Sequence, residues 1–476
     1  MVVIGIDVGT QSLKAIVFDD DLRVIGENSI AYQPSFPRPG WAEQDPQLWL
    51  DALRPTIAGA IFRAQVKATD IFSVGVTGQL DGCVPVDGDG KALASAIIWM
   101  DRRATAEVVG IDPDWILERT GNVLDSTHMA AKISWSQRHL SFDKSWATWH
   151  QPVSFIVAAL CGRNVLDHSL ASTTMLYDAV QRGWSDDLLS AFDVDSRQLP
   201  EIADAIGIAG TITAAGAELT GLLRGTKVVV GTGDDFAGAI GAGVIEPGTV
   251  SCTLGTAEVV GAVSNDFRID RGGLVETHGF LNDQYFLENP GWLSGGAVTW
   301  FLSAFGIDSP TEMSALAESA RPGSDGLLFL PALSGSMAPR WNSHARGAFY
   351  GLTAAHGRAE MARSVLEGCA FAMRDVVDRL EQLNGTLSSI RLSGGGARSD
   401  VWTQMRADIS GLPVEVVANV DSAPLGAALL ATQSIEISSI AIDRTVLPDP
   451  QRREVYQRSY QRYRKLFESL SPMFEE

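Results

Sequence analysis

One local pattern, an apolar strand that runs into a Gly-Thr turn and a second strand, heads each half of the chain. It reads Asp-Val-Gly-Thr at 7–10 and Thr-Leu-Gly-Thr at 253–256. We interpret the two as one β-hairpin used twice. Strand-like runs alternate with helical patterns after each hairpin, which indicates an α/β protein. We place the division at Glu246-Pro247-Gly248, which predicts an N-terminal domain at 1–245 and a C-terminal domain at 246–476.

Further elements follow from turn and capping residues. Asp45 before Pro46 predicts a capped helix start, and Pro55 should kink that helix or delay it. Tyrosine, phenylalanine and leucine at spacings of three and four predict a final amphipathic helix within 452–474. The predicted strands are 2–8, 13–19, 23–31, 72–78 and 226–233.

Charge and length narrow the class of protein. The 476 residues are enough for two or three domains, and 37 basic against 57 acidic residues give a formal net charge of −20. That sign disfavours a partner such as nucleic acid or an anionic membrane. The four cysteines have no metal-site spacing, no secretion signal opens the chain, and no apolar stretch approaches the roughly 20 residues that cross a bilayer. We therefore expect reduced thiols and a cytoplasmic protein.

The first hairpin has the composition of a phosphate site. The turn Gly9, Thr10, Gln11 and Ser12 offers backbone N–H groups and two hydroxyls, and Lys14 adds a positive charge. Asp7 lies in an apolar strand, where an unpaired carboxylate is costly, so hydrated Mg²⁺ is the expected partner. An ordinary hairpin with a solvated aspartate is the alternative.

The segment GTGDDFAG at 231–238 also follows a strand. It is not a dinucleotide-binding fingerprint, because the third glycine of that motif would fall on Phe236, and because two aspartates would repel a pyrophosphate. Asp234 instead fits a general base or a metal ligand. Alternatively, Asp234 or Asp235 caps a helix that begins at Phe236.

A third glycine-rich segment, RLSGGGARSDVW at 391–402, would let a flat ligand such as adenine lie against the backbone, although a surface turn is the commoner explanation. Other nucleotide and hydrolase signatures are missing. Gly90-Lys91 is followed by Ala92, so there is no P-loop, and neither HExxH nor GxSxG occurs.

Taken in order, the motifs resemble those of the FGGY carbohydrate kinases, most closely the xylulose-kinase-like members, over nearly the whole chain. The segments are DVGTQSLK (7–14), GWAEQDPQLW (40–49), GVTGQLDG (75–82), IIWMDRRA (97–104), GTGDDFAGAIG (231–241), TLGT (253–256), GWLSGGAVTWF (291–301), RGAFYGL (346–352), SGGGARSDVW (393–402) and DSAPLGAALLA (421–431). The resemblance implies two actin-like, ribonuclease-H-like ATPase domains around a central cleft.

The resemblance also implies a site. Asp234 would accept the proton of the sugar hydroxyl, and Asp7 would hold Mg²⁺ through water. The remaining implied contacts are Gly9, Thr10, Gly255 and Thr256 for the ATP phosphates, Gly296, Gly395, Gly396, Ala397 and Asp400 for adenosine, and Gln79, Leu80, Asp81 and Asp101 for the sugar.

The implied activity is transfer of the γ-phosphate of ATP to a hydroxyl of a small sugar, first a ketopentose such as D-xylulose. Other acceptors stay possible, because Leu80-Asp81 stands where xylulose kinases commonly have Met-His. They are D-ribulose, L-ribulose, and a tetritol or pentitol. Asp235 likewise stands where an amide is common. Rival classes are an actin-like ATPase and a catalytically silent sugar sensor, and a homodimer is left open.

Overall fold

The computed structural model describes residues 1–142, 147–435 and 440–474. Its strands are β1 Val2–Val8, β2 Ser12–Phe18, β3 Val24–Ala31, β4 Glu43–Gln44, β5 Ile71–Gly78, β6 Val84–Val86, β7 Ala96–Ile97, β8 Thr148–His150, β9 Val165–Asp167, β10 Tyr177–Asp178, β11 Gly183–Trp184, β12 Glu201–Ala203, β13 Ile208–Thr211, β14 Lys227–Val229, β15 Thr249–Leu254, β16 Ala257–Ser264, β17 Glu276–Gly279, β18 Tyr285–Leu293, β19 Leu328–Leu330, β20 Ala348–Tyr350, β21 Ser389–Ser393, β22 Val414–Val417 and β23 Ile442–Val446.

The α-helices are α1 Pro46–Ala64, α2 Pro113–Thr120, α3 Met129–His139, α4 Pro152–Cys161, α5 His168–Ser172, α6 Asp186–Ala191, α7 Ala214–Thr220, α8 Asp234–Gly241, α9 Gly295–Phe305, α10 Pro310–Ser319, α11 Arg358–Asn384, α12 Asp400–Ser410, α13 Ser422–Thr432 and α14 Arg453–Leu470. Within the described ranges, no helix is both long and apolar enough to cross a membrane.

Two mixed sheets organise the chain, and they share one topology. The first has the order β13-β14-β5-β1-β2-β3, and the second has the order β17-β18-β16-β15-β21-β22-β23. In each, an antiparallel hairpin leads into a third antiparallel strand on one side, and its first strand pairs in parallel on the other side, β1 with β5 and β15 with β21. The prediction of one hairpin used twice is confirmed.

The two sheets meet through a pair of helices, α8 and α13, and their close contact depends on glycines, which have no side chain. A Cβ on Gly75 of β5 would lie 1.9 Å from the carbonyl oxygen of Ala427 in α13. A Cβ on Gly426 of α13 would lie equally close, at 1.9 Å, to the carbonyl oxygen of Ala237 in α8. Because a real Cβ cannot approach so closely, glycine is what brings α13 against both the first sheet and α8.

Local predictions from the sequence have mixed outcomes. Asp45 caps α1 by accepting from Gln47 N, as expected, but α1 continues through Pro55 from Pro46 onward, so the expected delay is wrong. The capped first turn starts the helix upstream, and the proline ring removes only one later N–H donor. The predicted strand at 226–233 is shorter, and ends at Val229. The final helix is confirmed as α14.

Candidate active site

The first hairpin is held in place by residues from outside it. Gly9 N donates to Ser12 O at 3.0 Å and closes the turn. The Tyr32 hydroxyl donates to Gly9 O at 2.7 Å, and Trp99 Nε1 donates to Thr10 Oγ1 at 3.0 Å. Such a braced turn presents its remaining N–H groups in a fixed arrangement, as a phosphate-binding nest requires.

Gln79 links this hairpin to the predicted sugar segment. Its side chain is buried, with Oε1 accepting from Thr10 Oγ1 at 3.4 Å and Nε2 donating to Gln44 Oε1 at 2.6 Å. Gln44 Nε2 in turn donates to Thr10 O at 2.7 Å. The Gln79 amide therefore supports the hairpin, and its assignment to the sugar stays a prediction.

Asp7 carries an orphaned carboxylate oxygen. Its Oδ1 is buried without a hydrogen-bond partner among the described residues. Burial and the charges of Asp234 and Asp421, opposed by Lys14, together raise the pKa of Asp7 to about 7. A carboxylate with a free, desolvated oxygen among other carboxylates fits a hydrated divalent cation, since a cation would supply the missing partner.

Lys14 reaches across to the other half of the chain. Its Nζ lies 2.7 Å from Asp421 Oδ1, although the two residues are 407 positions apart. Asp421 immediately precedes α13, inside the segment DSAPLGAALLA. Sequence reasoning identified that segment but gave Asp421 no role, because nothing local in the sequence indicates that it lies beside the first hairpin.

The second hairpin and the start of α9 form one unit. Gly255 N donates to Ala257 O at 2.9 Å, and Gly296 N donates to Thr256 O at 2.9 Å. A Cβ on Gly295 would lie 2.2 Å from Gly255 O. The structure thus brings Gly255, Thr256 and Gly296 together, as predicted for the nucleotide, although their contact with it stays a prediction.

The glycine-rich turn after β21 lies against the same hairpin. Gly394 has φ of +83°, and a Cβ there would lie 2.5 Å from Leu254 O. A Cβ on Gly395 would meet no atom of the described residues within 4 Å, so this glycine faces open space in that part of the structure. Asp400 lies at the margin, with its exposed carboxylate 2.9 Å from Arg444 Nη2.

Asp234 begins α8 and does not cap it. Gly233 is the N-cap residue and offers no side chain, so the alternative that Asp234 or Asp235 caps a helix starting at Phe236 is wrong. Burial raises the pKa of Asp234 to about 6, and backbone N–H groups of Asp234 and Asp235 limit the rise. Its carboxylate is therefore mostly ionised at neutral pH and able to accept a proton.

The segments containing Leu80 and Asp234 meet. A Cβ on Gly233 would lie 2.9 Å from Leu80 Cδ2. Burial, followed by the charges of Asp234 and Asp81, raises the pKa of Asp235 well above its usual range. Burial and Asp235 do the same to Glu288. The site is thus rich in carboxylates, and Glu288 is a member that sequence reasoning missed.

Asp101 is engaged inside the protein. It is fully buried and accepts from Arg103 Nε at 3.0 and 2.9 Å and from Arg103 Nη2 at 2.7 Å, while Ala42 N donates to Oδ2. Both oxygens have internal donors, so the geometry gives Asp101 a structural role. Its predicted contact with the sugar stays a prediction without support from these bonds.

Comparison with known families agrees with this arrangement. The sequence model of the family described as "FGGY family of carbohydrate kinases, N-terminal domain" matches residues 2–241, and the model of the family's C-terminal domain matches residues 250–435.

Individual proteins extend the similarity. A xylulose kinase of Escherichia coli is 32% identical over 99% of each chain, and a glycerol kinase of Thermococcus onnurineus is 32% identical over 91% of this chain and 89% of its own. The crystal structure of a gluconate kinase from Lactobacillus acidophilus superposes with a TM-score of 0.93 at 25% identity, and covers 100% of this chain and 99% of its own. The predicted pair of actin-like domains is confirmed.

Proposed function

Because the chain belongs to the FGGY family of carbohydrate kinases, whose sugar kinases use ATP as phosphate donor, we propose that it phosphorylates a neutral, hydroxyl-rich acceptor. A ketopentose such as D-xylulose is the leading substrate. The observation that carries the proposal is the position of the Asp234 carboxylate. It does not cap α8, it interacts electrostatically with Asp7, and it lies next to the segment of Leu80 and Asp81. We also propose the division into domains 1–245 and 246–476.

In this mechanism Asp234 accepts the proton of the attacking hydroxyl. Phosphoryl transfer needs positioning and charge stabilisation more than covalent help, so the base acts late and contributes a moderate factor. Its pKa of about 6 suits the task, because the base is ionised at pH 7 yet still binds a proton appreciably.

The two hairpins hold the phosphates from opposite halves of the chain. Thr253 Oγ1 and Ser393 Oγ lie 3.2 Å apart, and Ser422 Oγ donates to Ser393 Oγ at 3.0 Å. The next residue back, Asp421, pairs with Lys14 beside the first hairpin. This chain of contacts supports a single phosphate site formed by both hairpins, with Lys14 available to a phosphate oxygen.

A magnesium ion would be held at Asp7 through water, since that carboxylate has a buried oxygen without a hydrogen-bond partner among the residues that the structure describes. Bound there, it would neutralise charge on the transferring phosphoryl group. Lys14 and the hairpin amides would contact the phosphates directly, whereas the Asp7 carboxylate would hold the cation.

The carboxylates around Asp234 favour a neutral acceptor over a sugar acid. Burial and the charges of Asp234 and Asp81 raise the pKa of Asp235, and an acceptor that brought another carboxylate would add repulsion. Hydroxyl groups, in contrast, donate to carboxylates. This distinguishes the proposed substrate from gluconate, and keeps polyols as the second candidate because Asp81 is an acceptor only.

A panel of acceptors tests the proposal. Purified protein is incubated with ATP and Mg²⁺ and with D-xylulose, D-ribulose, L-ribulose, xylitol, erythritol, glycerol or gluconate, and ADP formation is measured. We expect turnover with at least one neutral acceptor and the lowest kcat/KM with gluconate. ADP release that no acceptor stimulates would indicate an ATPase, no release at all would indicate a sensor, and a preference for gluconate would refute the charge argument.

A further inference from the structure

A buried chain of acidic and basic side chains runs from Asp81 into the second half of the protein. His128 Nδ1 lies 3.4 Å from Asp81 Oδ2, and His128 Nε2 lies 3.5 Å from Glu276 Oε1. Asp81 follows β5, His128 immediately precedes α3, and Glu276 opens β17. All three are buried, and the proposed chemistry makes no use of His128 or Glu276.

Every group that faces the His128 ring nitrogens is an acceptor. Besides the two carboxylates, Thr173 O lies 2.8 Å from Nδ1. Nδ1 lies at hydrogen-bond distance from Thr173 O, whereas Nε2 has no hydrogen-bond partner in the described part of the chain and faces Glu276 Oε1 at 3.5 Å. Carboxylates on both sides of the ring therefore favour its protonated, cationic form. Burial alone would lower the pKa of His128, but Asp81 and Glu276 raise it well above its usual value.

Glu276 is itself fixed from both sides. Its Oε1 accepts from Val123 N at 2.8 Å, in the first half of the chain. Its Oε2 lies 3.8 Å from His278 Nε2, and that nitrogen is 3.5 Å from Glu288 Oε1. The Glu276 oxygen that faces His128 is therefore held by a backbone hydrogen bond from the first half of the chain.

Asp81 contacts three side chains, and one of its carboxylate oxygens has no hydrogen-bond partner among the described residues. Its N donates to Gln151 Oε1 at 2.9 Å, the Lys132 ammonium donates to its carbonyl oxygen, and its φ is +56°. A non-glycine residue in this left-handed region persists only when its surroundings hold it. Its Oδ2 faces His128, whereas Oδ1 is buried without a hydrogen-bond partner in the described part of the chain.

We propose that His128 and Glu276 are positioning residues that hold Asp81 so that its Oδ1 accepts a hydrogen bond from a second hydroxyl of the acceptor, distinct from the one phosphorylated. The inference rests on the proposed function and narrows it: the substrate class is a polyol or ketose with at least two hydroxyls. The free oxygen lacks a donor within the described ranges, and Asp81 lies near enough to Asp235, the residue after the candidate base, for its charge to raise the pKa of Asp235.

Neutralising His128 tests the role. In His128→Gln, Asp81 and Glu276 would be two buried carboxylates without a cation between them, so one takes up a proton and Asp81 is a poorer acceptor. A hydrogen bond to a charged group typically carries enough energy for a 10- to 100-fold effect, so we expect KM for the acceptor to rise by about that factor, while kcat and KM for ATP change less than about threefold.

The acceptor used is the neutral member of the panel above with the highest kcat/KM. Glu276→Gln serves as a second variant should His128→Gln fail to fold, and it should raise the same KM. His168→Gln is the matched control, because His168 also lies where the halves meet, bonds Tyr177 at 2.8 Å and does not contact Asp81.

The pH profile separates positioning from general damage. The titratable groups near His128 are Asp81, Asp125, Glu276 and His278, and burial lowers the pKa of His278 to about 4, so that ring is neutral near pH 6. We expect the acceptor KM to rise more steeply toward pH 6 in His128→Gln than in the wild type. An unchanged KM for the acceptor would overturn the positioning role. So would a fall in kcat together with a matching rise in KM for ATP. A wild type that turns over no neutral acceptor would instead refute the proposed function.

Discussion

Replacing Asp234 by asparagine should slow the enzyme and stabilise it at the same time. The folded protein raises the pKa of this carboxyl from 3.8 to about 6. Between these values the folded state binds a proton that the unfolded state has lost, so stability falls as pH rises from about 4 to 6. Above pH 6 the full difference applies, and roughly two pKa units correspond to about 3 kcal/mol.

Asparagine has nearly the same shape but no charge, so it removes this cost. We expect Asp234→Asn to raise the free energy of unfolding by up to about 3 kcal/mol at pH 7.5, and by about half of that at pH 5, where the wild-type carboxyl is largely protonated. Loss of the base should lower kcat by about 10²- to 10⁴-fold. Affinity for ATP should be retained.

Unfolding is followed by denaturant titration at the two pH values, turnover by ADP release with the best neutral acceptor, and ATP binding by calorimetry. Asp114→Asn is the control, because Asp114 lies in the exposed first turn of α2, where a carboxylate stabilises the helix slightly. That variant should keep full turnover and lose a little stability. An Asp234→Asn protein within tenfold of wild-type turnover, or less stable than wild type at pH 7.5, would refute the reasoning.

Three further predictions concern the interface and the phosphate site. Gly75→Ala should destabilise the protein by about 1–3 kcal/mol, since its Cβ would meet a carbonyl oxygen of α13 at 1.9 Å. Gly88→Ala is the control, because its Cβ would meet no atom of the described residues within 4 Å, and equal melting temperatures of the two variants would contradict the prediction. Lys14→Met should raise KM for ATP about tenfold with little change in KM for the acceptor, because it removes a positive charge proposed to contact phosphate. Lys91→Met, at an exposed lysine, should leave both KM values unchanged. Chelation with EDTA should abolish turnover and Mg²⁺ should restore it, with Asp7→Asn requiring more Mg²⁺; full activity in EDTA would exclude the metal.

The sequence was informative wherever structure is decided by neighbours along the chain. The Gly-Thr turns fixed both hairpins, and Asp45 with Pro46 fixed the start of α1. Each of these depends on backbone preferences and hydrogen bonds within a few residues. Pro55 shows the limit, because a helix already started and packed tolerates the loss of one bond.

The candidate site was only partly accessible in this way. Gly255, Gly296 and Gly395 entered the candidate site through the resemblance of their motifs to the family; the structure joins Gly255 and Gly296 through Thr256, and leaves Gly395 facing open space among the described residues. Asp101 stands in a matching motif, yet its oxygens are occupied by Arg103, only two positions away. Composition cannot reveal whether a carboxylate is free or already paired, since that depends on rotamers and packing.

The sequence by itself determined the fold class, the repeated hairpin and the order of the glycine turns and aspartates. Only the tertiary structure decided how the charges pair: Lys14 with Asp421, and His128 between Asp81 and Glu276. These partners lie far apart in the chain, and a buried charge interacts with whatever folding brings within a few ångströms. Its pKa and its freedom to bind a substrate are therefore properties of the assembled fold.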